Sequence, residues 1–217
     1  MKKTIFLNAG HSVNDPGAIY NKKKEAEEAM AIRTLLVPLL QKSGFEVLTV
    51  PDNLNLTNSI KRVNQHMKNL EDGMAFSIHL NAGGGTGAEI FYYAGSNPSK
   101  EYAETMIDEY CKELTLTNRG AKADISTRHK RLGWVRDVNP WSFLIEVGFI
   151  DSESDMKIIS NHERVAEALN QAICKMYGVE PVIVESKESK IDKIIEDIKK
   201  DLNRVNNKLN EIVELNQ

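Results

Sequence analysis

The sequence predicts an α/β fold in which a single twisted, mostly parallel sheet is flanked by helices and followed by a coiled-coil-like C-terminal helix. Two observations predict this fold. Short apolar runs alternate with longer segments in which apolar residues recur every three or four positions, as is typical of a parallel sheet covered on both faces. The composition then changes near residue 190, where glycine, proline and aromatic residues cease and a separate helix is predicted.

Five apolar runs predict strands because each is short and rich in β-branched, aromatic or other large apolar residues. They are Thr4–Asn8, Phe45–Val50, Met74–Leu80, Glu89–Tyr93 and Trp141–Phe149. The last run, WSFLIEVGF, is apolar at almost every position. It is therefore predicted to be a buried strand.

Four segments have the spacing of apolar residues that predicts helices. They are Glu25–Ser43, Thr57–Leu70, Lys100–Leu114 and Ser154–Tyr177. The first is expected to end at Gly44, in the left-handed conformation that closes many helices. Thr57 or Asn58 is expected to cap the second. Cys111 and Cys174 fall within helical segments and are expected to be small buried residues, not a disulfide or metal ligands.

The charge and hydropathy of the chain exclude some classes of partner. With a formal net charge of −3 there is no surplus of basic residues to neutralise phosphates, so nucleic acid is not expected as a partner. No run approaches the ~20 apolar residues that span a bilayer, so no transmembrane segment is predicted. The apolar run after Lys2 and Lys3 is too short for the core of a signal peptide. We therefore expect synthesis in the cytoplasm without a signal peptide.

The sequence predicts a domain of residues 1–178, a linker at 179–188 and a heptad-patterned helix at 189–217. The apolar residues of this helix recur at alternating spacings of four and three, at Ile191, Ile195, Ile198, Leu202, Val205, Leu209 and Ile212. With Ile195 and the two leucines at the a positions and β-branched residues at d, the pattern favours more than two strands. Because so short and polar a helix is marginal alone, we expect it to form a homo-oligomer. The alternative is an amphipathic helix that folds back on its own domain.

Polar residues occupy four positions at which the core of a sheet does not need them. They are His11 after the first strand, Glu25 at the start of the first helix, His79 at the end of the third strand and Glu146 within the last strand. Ligands of open α/β sheets bind beyond the carboxyl ends of the strands, where both histidines are expected. A carboxylate buried without a partner is costly, so Glu146 needs a cation, a hydrogen-bond network or a catalytic role.

Two histidines and one carboxylate are a common donor set for a catalytic zinc ion, which keeps a fourth position open for water. Zinc lowers the pKa of that water, and a second carboxylate nearby takes its proton. The arrangement fits a zinc ion held by His11, Glu25 and His79. Glu146 is predicted to be the catalytic base.

Other residues of the same types have to be weighed against this set. The periodicity does not separate Glu25 from Glu27 and Glu28, which lie in the same first turn. An acidic residue in a first turn is also favoured by the helix dipole without any further role. The remaining histidines lie in polar stretches and are expected to be solvated; they are His66, His129 and His162.

Five segments, taken in order, carry a resemblance to a known family. They are GHSVNDPGA, KKKEAEEAM, SIHLNA, GAEIFYY and LIEVGFIDSESD. Together they resemble the successive signatures of zinc-dependent N-acetylmuramoyl-L-alanine amidases of the amidase-3 type, from about Lys3 to Tyr177. The resemblance implies a sheet of about six strands and one zinc ion. It also implies hydrolysis of the amide bond between N-acetylmuramic acid and the L-alanine of the peptidoglycan stem.

The resemblance also implies roles for particular residues. His11, Glu25 and His79 match the zinc ligands of the family. Glu146 matches the catalytic glutamate. Glu25 is favoured over its neighbours because the family's ligand directly follows a short basic or glycine-containing turn. The segment Asn118–Lys122, NRGAK, is similar to the family's NRGVK and is a candidate to line the groove.

The sequence therefore predicts a peptidoglycan hydrolase of the bacterial cell wall. One departure from the family is GHSV, where many members have a glycine soon after the histidine; phage and prophage lysins of the family share it. Together with the expected lack of a signal peptide in a wall-degrading enzyme, it favours an endolysin of phage or prophage type. A spore or mother-cell autolysin is the alternative setting. The alternative activities are a zinc peptidase or deacetylase acting on the wall, and a catalytically silent wall-binding or scaffold protein. Residues that bind the substrate are not assigned.

Overall fold

The computed structural model describes residues 3–67, 73–127, 130–139, 141–182 and 187–215. The chain divides into two compact units, Met1–Val182 and Ile183–Gln217. The boundary falls inside the segment predicted as a linker, 179–188, of which residues 183–186 lie outside the described part. Among the described residues, no helix has both the length and the apolar character needed to cross a membrane.

The first unit is built on a six-stranded, mostly parallel sheet, so the predicted fold class is confirmed. Its strands are β1 (Thr4–Ala9), β2 (Ile19–Tyr20), β3 (Lys23–Lys24), β4 (Glu46–Thr49), β5 (Gly73–Asn81), β6 (Ala88–Tyr92), β7 (Asn118–Ala123) and β8 (Trp141–Phe149). In space the main sheet has the order β4–β1–β5–β8–β6–β7, and β2 and β3 form a separate hairpin. All neighbouring pairs in the main sheet are parallel except β8 and β6, which are antiparallel.

Helices cover both faces of this sheet. Those of the first unit are α1 (Glu25–Lys42), α2 (Leu56–His66), α3 (Asn97–Leu114), α4 (Gly133–Asp137), α5 (Glu153–Ile159) and α6 (His162–Tyr177). On one face α1 and α3 pack against α6 and against the strands. On the other, α2 and α4 enclose a core cluster that includes Phe6, Val63 and Trp134. The second unit contains the helix α7 (Lys187–Leu215).

The last predicted helix of the first unit is two helices. Ser154–Tyr177 is predicted as one helix from its apolar spacing, but α5 ends at Ile159 and α6 begins at His162. A second helix begins here because Asn161 caps its N-terminus. The Asn161 side chain accepts a hydrogen bond from the backbone N–H of Arg164 at 3.1 Å. An Asn in this position starts a helix more readily than it continues one.

The second helix also begins at a different residue from the prediction. Its cap is Asn55, whose side chain accepts a hydrogen bond from the backbone N–H of Asn58 at 3.0 Å, and not Thr57 or Asn58. The helix is described as far as His66, and residues 68–70 of the prediction lie outside the described part.

The sixth strand, β7, comes from a segment without an apolar pattern. Its sequence is NRGAKA, and it pairs in parallel with β6 at the edge of the sheet. Edge strands tolerate polar and charged residues because one side of the strand faces solvent. This strand places Arg119 and Lys122 beside β6.

The central strand β8 is fixed by hydrogen bonds from neighbouring elements. The fully buried Tyr110 of α3 donates its hydroxyl hydrogen bond to the carbonyl oxygen of Val147 at 2.9 Å. Asp155 of α5 accepts backbone N–H groups from Phe149 at 2.9 Å and from Gly87 at 2.8 Å. These contacts hold the end of β8 next to the start of β6, which is where the candidate site lies.

Candidate metal centre

His11, Glu25 and His79 meet at the carboxyl edge of β1 and β5, with one candidate ligand atom of each within 4.8 Å of the others. His11 follows β1, Glu25 is the first residue of α1, and His79 lies in β5. His11 Nε2 lies 2.9 Å from Glu25 Oε2, and His79 Nδ1 lies 2.9 Å from Glu25 Oε1. Parallel pairing of β1 with β5 brings the two strand ends together.

Glu25 is the centre of this cluster. Besides the two imidazoles, its carboxylate accepts backbone N–H groups from Ala18 at 3.0 Å and Leu80 at 3.2 Å. Burial raises the pKa of Glu25, but the hydrogen bonds from His11 and His79 outweigh it and hold the pKa well below its usual range. The carboxylate is therefore ionised at neutral pH and offers only acceptor oxygens.

The two neighbouring glutamates lie elsewhere. Glu27 is exposed and forms an ion pair with Lys24 at 2.7 Å. Glu28 is buried and contacts His162 Nε2 at 2.8 Å. Of the three first-turn acids, the structure brings only Glu25 to the histidines of the cluster.

The histidines expected to be solvated have different environments. His162 is not simply solvated, because it is three-quarters buried and paired with Glu28 of α1. His66 is exposed, and its Nδ1 lies 2.8 Å from the carbonyl oxygen of Arg62. His129 lies outside the described residues. Among the described histidines, only His11 and His79 belong to the cluster of candidate metal ligands.

The loop after β1 gives His11 a backbone conformation that non-glycine residues seldom adopt. Its φ is +66°, in the left-handed region, and Ser12 and Asp15 form a small bridge just beyond it. Asp15 Oδ2 accepts a hydrogen bond from His11 Nδ1 at 2.9 Å, which orients the imidazole. The hydrogen bond to Glu25 raises the pKa of His11 to about 9, against the opposing effect of burial and with a further contribution from Asp15.

Two glycines enclose the cluster. A Cβ at Gly17, whose φ is +66°, would lie 2.5 Å from His11 Cδ2 and 2.6 Å from Glu25 Oε2. A Cβ at Gly10 would lie 2.5 Å from His79 Cε1. No side chain fits at either position without moving a cluster residue, so the glycines of the GHSVNDPGA segment allow the donors to converge.

Glu146 lies on the next strand, directly paired with His79 of β5 on one side and with Glu89 of β6 on the other. Its Oε2 is buried and has no hydrogen-bond partner in the described part of the protein. Burial raises the pKa of Glu146 to about 7. A carboxyl group with a pKa near neutrality is suited to both accepting and donating a proton.

The residues present fit a divalent metal ion. Two imidazole nitrogens and one ionised carboxylate are the donor set of many catalytic zinc sites. Ligand atoms that each lie about 2.0–2.1 Å from a tetrahedral zinc ion are about 3.3 Å from one another. In the cluster, His11 Nε2 and Glu25 Oε2 are 2.9 Å apart, and all three candidate ligand atoms lie within 4.8 Å of one another. The Glu146 carboxyl, whose Oε2 lacks a hydrogen-bond partner in the described part of the protein, is the cross-strand neighbour of His79 in this cluster.

A cavity of about 290 Å³ adjoins Glu146 on the side away from His11. It is lined by Asn81, Glu89, Phe91, Lys122, Ser126, Thr127, Leu132 and Glu146. Glu89 is not among the site residues predicted from the sequence; it is 5% exposed and accepts a hydrogen bond from Asn81 at 2.9 Å. Its signal in the sequence is a carboxylate within an apolar strand, the same signal that identified Glu146.

Comparisons with known proteins identify the family of this chain. The family model of N-acetylmuramoyl-L-alanine amidases, Amidase_3, matches residues 5–176. A sporulation-specific N-acetylmuramoyl-L-alanine amidase of Bacillus subtilis is 29% identical over 70% of this chain and 58% of its own length. A germination-specific amidase of the same species is 26% identical over 81% of this chain and 80% of its own length. Thus the chain spans less than two thirds of the first of these relatives.

Solved structures give the same result. The CwlD amidase of Clostridioides difficile, solved in complex with the GerS lipoprotein, is 28% identical and has a TM-score of 0.69 over 82% of this chain and 99% of its own. An N-acetylmuramoyl-L-alanine amidase of Clostridium difficile 630 shares the fold with a TM-score of 0.71 over 82% of this chain and 97% of its own, at 24% identity. With most of the first unit covered by the family model, the chain belongs to the N-acetylmuramoyl-L-alanine amidase family, Amidase_3.

Proposed function

We propose that the protein is a zinc-dependent hydrolase that cleaves the amide bond between N-acetylmuramic acid and the L-alanine of the peptidoglycan stem. The observation that carries the proposal is the cluster of His11, Glu25 and His79 beside the unpartnered carboxyl of Glu146. Membership of the amidase family supports the substrate.

His11, Glu25 and His79 would hold the metal in this proposal. Zinc bound there supplies Lewis acidity towards the scissile carbonyl and lowers the pKa of the attacking water. Asp15 keeps the His11 ring oriented through its hydrogen bond to Nδ1. The charge of Glu25 makes the donor set anionic, which favours a divalent cation.

Glu146 moves the proton in this proposal. As the oxygen of water adds to the carbonyl carbon, the Glu146 carboxylate accepts a proton from that water. The same carboxyl then donates the proton to the L-alanine nitrogen while the carbon–nitrogen bond breaks. The pKa of about 7, raised by burial, suits a group that must act in both directions near neutral pH.

Digestion of purified peptidoglycan tests the proposal. We expect new alanine amino termini and no new reducing sugar ends, with loss of activity on chelation and recovery on addition of zinc. Amino termini from other residues would instead indicate a peptidase, and release of acetate a deacetylase. If none of these groups is released, the wall-binding or scaffold alternative replaces the enzyme.

The biological setting is a separate question. Similar proteins include sporulation-specific and germination-specific amidases of Bacillus subtilis and the catalytic domain of an endolysin directed at Clostridia. The endolysin role therefore stays a prediction, with the spore or mother-cell setting as its alternative.

We further propose that α7 joins copies of this chain into a homo-oligomer. Its large aliphatic side chains are exposed in the described range 194–208. They are Ile194 (58%), Ile195 (44%), Ile198 (54%), Leu202 (59%) and Val205 (54%). Except for Ile194 they follow the heptad spacing, and a second copy presents the same apolar stripe in the same register. Association would bury this stripe and stabilise a helix that is polar elsewhere.

Negative charge introduced into the apolar stripe of α7 tests whether this helix forms the oligomer. We expect the double substitution Ile198→Asp and Leu202→Asp to lower the mass in solution, measured by light scattering, from that of an oligomer to that of one chain. Asn203→Asp adds a similar charge beside the heptad positions and should leave the oligomer intact. Equal masses for the wild type and the double variant would contradict the proposal, and a monomeric wild type would support a helix folded on its own domain.

A further inference from the structure

The candidate site continues beyond Glu146 to a third strand. His79, Glu146 and Glu89 are direct cross-strand partners on β5, β8 and β6. Directly paired residues project from the same face of a sheet, with Cβ atoms about 5 Å apart. The metal donors, the Glu146 carboxyl and the Glu89 carboxylate therefore follow one another across the sheet, and the cavity of about 290 Å³ lies at the Glu89 end.

Two cations neutralise the buried carboxylate at the Glu89 end of the site. The Glu89 carboxylate is paired with both Arg119, at 2.9 Å from Nε, and Lys122. Burial raises the pKa of Glu89, but the hydrogen bonds from Lys122 and Arg119 outweigh it and lower the pKa below its usual value. Together these three residues carry a net charge of about +1, which the Glu146 carboxyl in the same cavity offsets when it is ionised.

Lys122 is the cation that faces the cavity. It is the single basic residue among the described side chains that line the cavity, and its side chain is 34% exposed. Within the described part of the protein its ammonium has Glu89 as its hydrogen-bond partner, and an ammonium has three N–H donors. The hydroxyls of Ser126 and Thr127 already donate to backbone carbonyls. An anionic group entering the cavity would therefore meet Lys122 as its donor.

The proposed reaction fixes which part of the substrate enters the cavity. The scissile carbonyl must lie by the metal donors, and the L-alanine nitrogen must lie within reach of Glu146. The chain attached to that nitrogen can then extend past Glu146 into the cavity that Lys122 lines. In peptidoglycan the residue after L-alanine is joined through its side chain, so its α-carbon bears either a free carboxylate or a carboxamide.

We propose that Lys122 binds this carboxylate of the stem peptide and that the enzyme therefore distinguishes unamidated from amidated stems. This inference rests on the proposed amidase function and adds the group that the substrate must carry. Asn81 and Arg119 help to keep the Glu89 carboxylate in place, so that Lys122 remains directed at the cavity.

Peptidoglycan with a free carboxylate at this position, and the same polymer with a carboxamide there, provide the test. The rate of release of alanine amino termini is measured for both at limiting substrate. A hydrogen bond between charged groups predicts that the wild type acts about 10- to 100-fold faster on the unamidated polymer. In Lys122→Met the two rates should agree within about twofold, because only the unamidated rate falls.

Control variants separate recognition from folding. Lys100→Met removes a lysine paired with Glu104 on the surface of α3 and should keep the wild-type preference. Lys122→Arg restores a cation and should recover most of the preference. Glu89 keeps Arg119 and Asn81 as partners in Lys122→Met, so the fold is expected to remain intact.

The rates on the two polymers decide whether Lys122 recognises the carboxylate. Equal wild-type rates on the two polymers, with alanine amino termini released from both, would overturn the inference and leave the amidase function standing. An equal loss on both polymers in Lys122→Met would show a structural role and would also overturn it. No alanine amino termini from either polymer would contradict the amidase function itself.

Discussion

Replacing Glu146 with glutamine is expected to slow release of alanine amino termini from peptidoglycan about 10²- to 10⁴-fold, the usual range for loss of a general acid–base group. Glutamine has nearly the same shape but neither accepts a proton from water nor returns one to the leaving nitrogen. Because Glu146 is not among the three clustered donors, zinc binding should be unchanged. Turnover and zinc content of the purified variant, measured side by side, check both expectations.

The same variant should be more stable than the wild type at high pH. Burial raises the pKa of Glu146 to about 7 in the folded, metal-free protein, whereas an unfolded glutamate titrates near 4.3. The folded state then holds more protons than the unfolded state between these values, so wild-type stability falls as the pH rises through this window. The stability of Glu146→Gln does not fall in this way, because glutamine does not titrate.

Thermal unfolding of the metal-free proteins tests this pH dependence. The Tm of Glu146→Gln should exceed that of the wild type at about pH 8, and the difference should shrink towards about pH 4. A variant that loses activity and is also less stable at every pH would indicate that Glu146 supports the fold and not the reaction.

Replacing Glu25 with glutamine is expected to weaken zinc binding more than about 100-fold and to abolish hydrolysis at limiting zinc. Loss of a group that only supports a ligand already costs 10- to 100-fold in affinity, and Glu25 is a candidate ligand with hydrogen bonds to both histidines. The substitution removes the negative charge of the donor set. Competition with a chromogenic chelator measures the affinity.

Glu27→Gln is the matched control, because Glu27 lies in the same helical turn but is exposed and paired with Lys24. Its zinc affinity and activity should equal those of the wild type. If Glu25→Gln bound zinc with wild-type affinity, the third metal donor would have to be another residue. If activity disappears while zinc remains bound, Glu25 would act on the reaction and not on the metal.

Apolar periodicity was sufficient to predict the strands that carry the site. The runs that form β1, β5 and β8 are apolar enough to be recognised as buried strands from their composition. The ends of these strands, and with them His11 and His79, could therefore be placed from the sequence. Glu146 stood out because a carboxylate is costly inside such a run. These predictions depend on local composition, which a single sequence contains.

Other features depend on tertiary contacts and could not be predicted in this way. The strand β7 is stable because it pairs with β6 at the sheet edge, although NRGAKA has no apolar pattern. Residues of the first turn of α1 are equivalent by period. The family resemblance favours Glu25, and in the structure the approach of two imidazoles distinguishes it from its neighbours. The pairing of Glu89 with Arg119 and Lys122 joins positions about thirty residues apart, which no spacing rule reveals.

The order of strands in the sheet has a consequence for how such enzymes diverge. The candidate metal donors come from residues 11–79, whereas Glu89 and Lys122, which line the cavity, come from a later stretch of the chain. Mutations in the later stretch leave the donors in place. Under the proposed function, the wall of the cavity is thus free to adapt to differently modified cell walls while the three candidate metal donors are inherited unaltered.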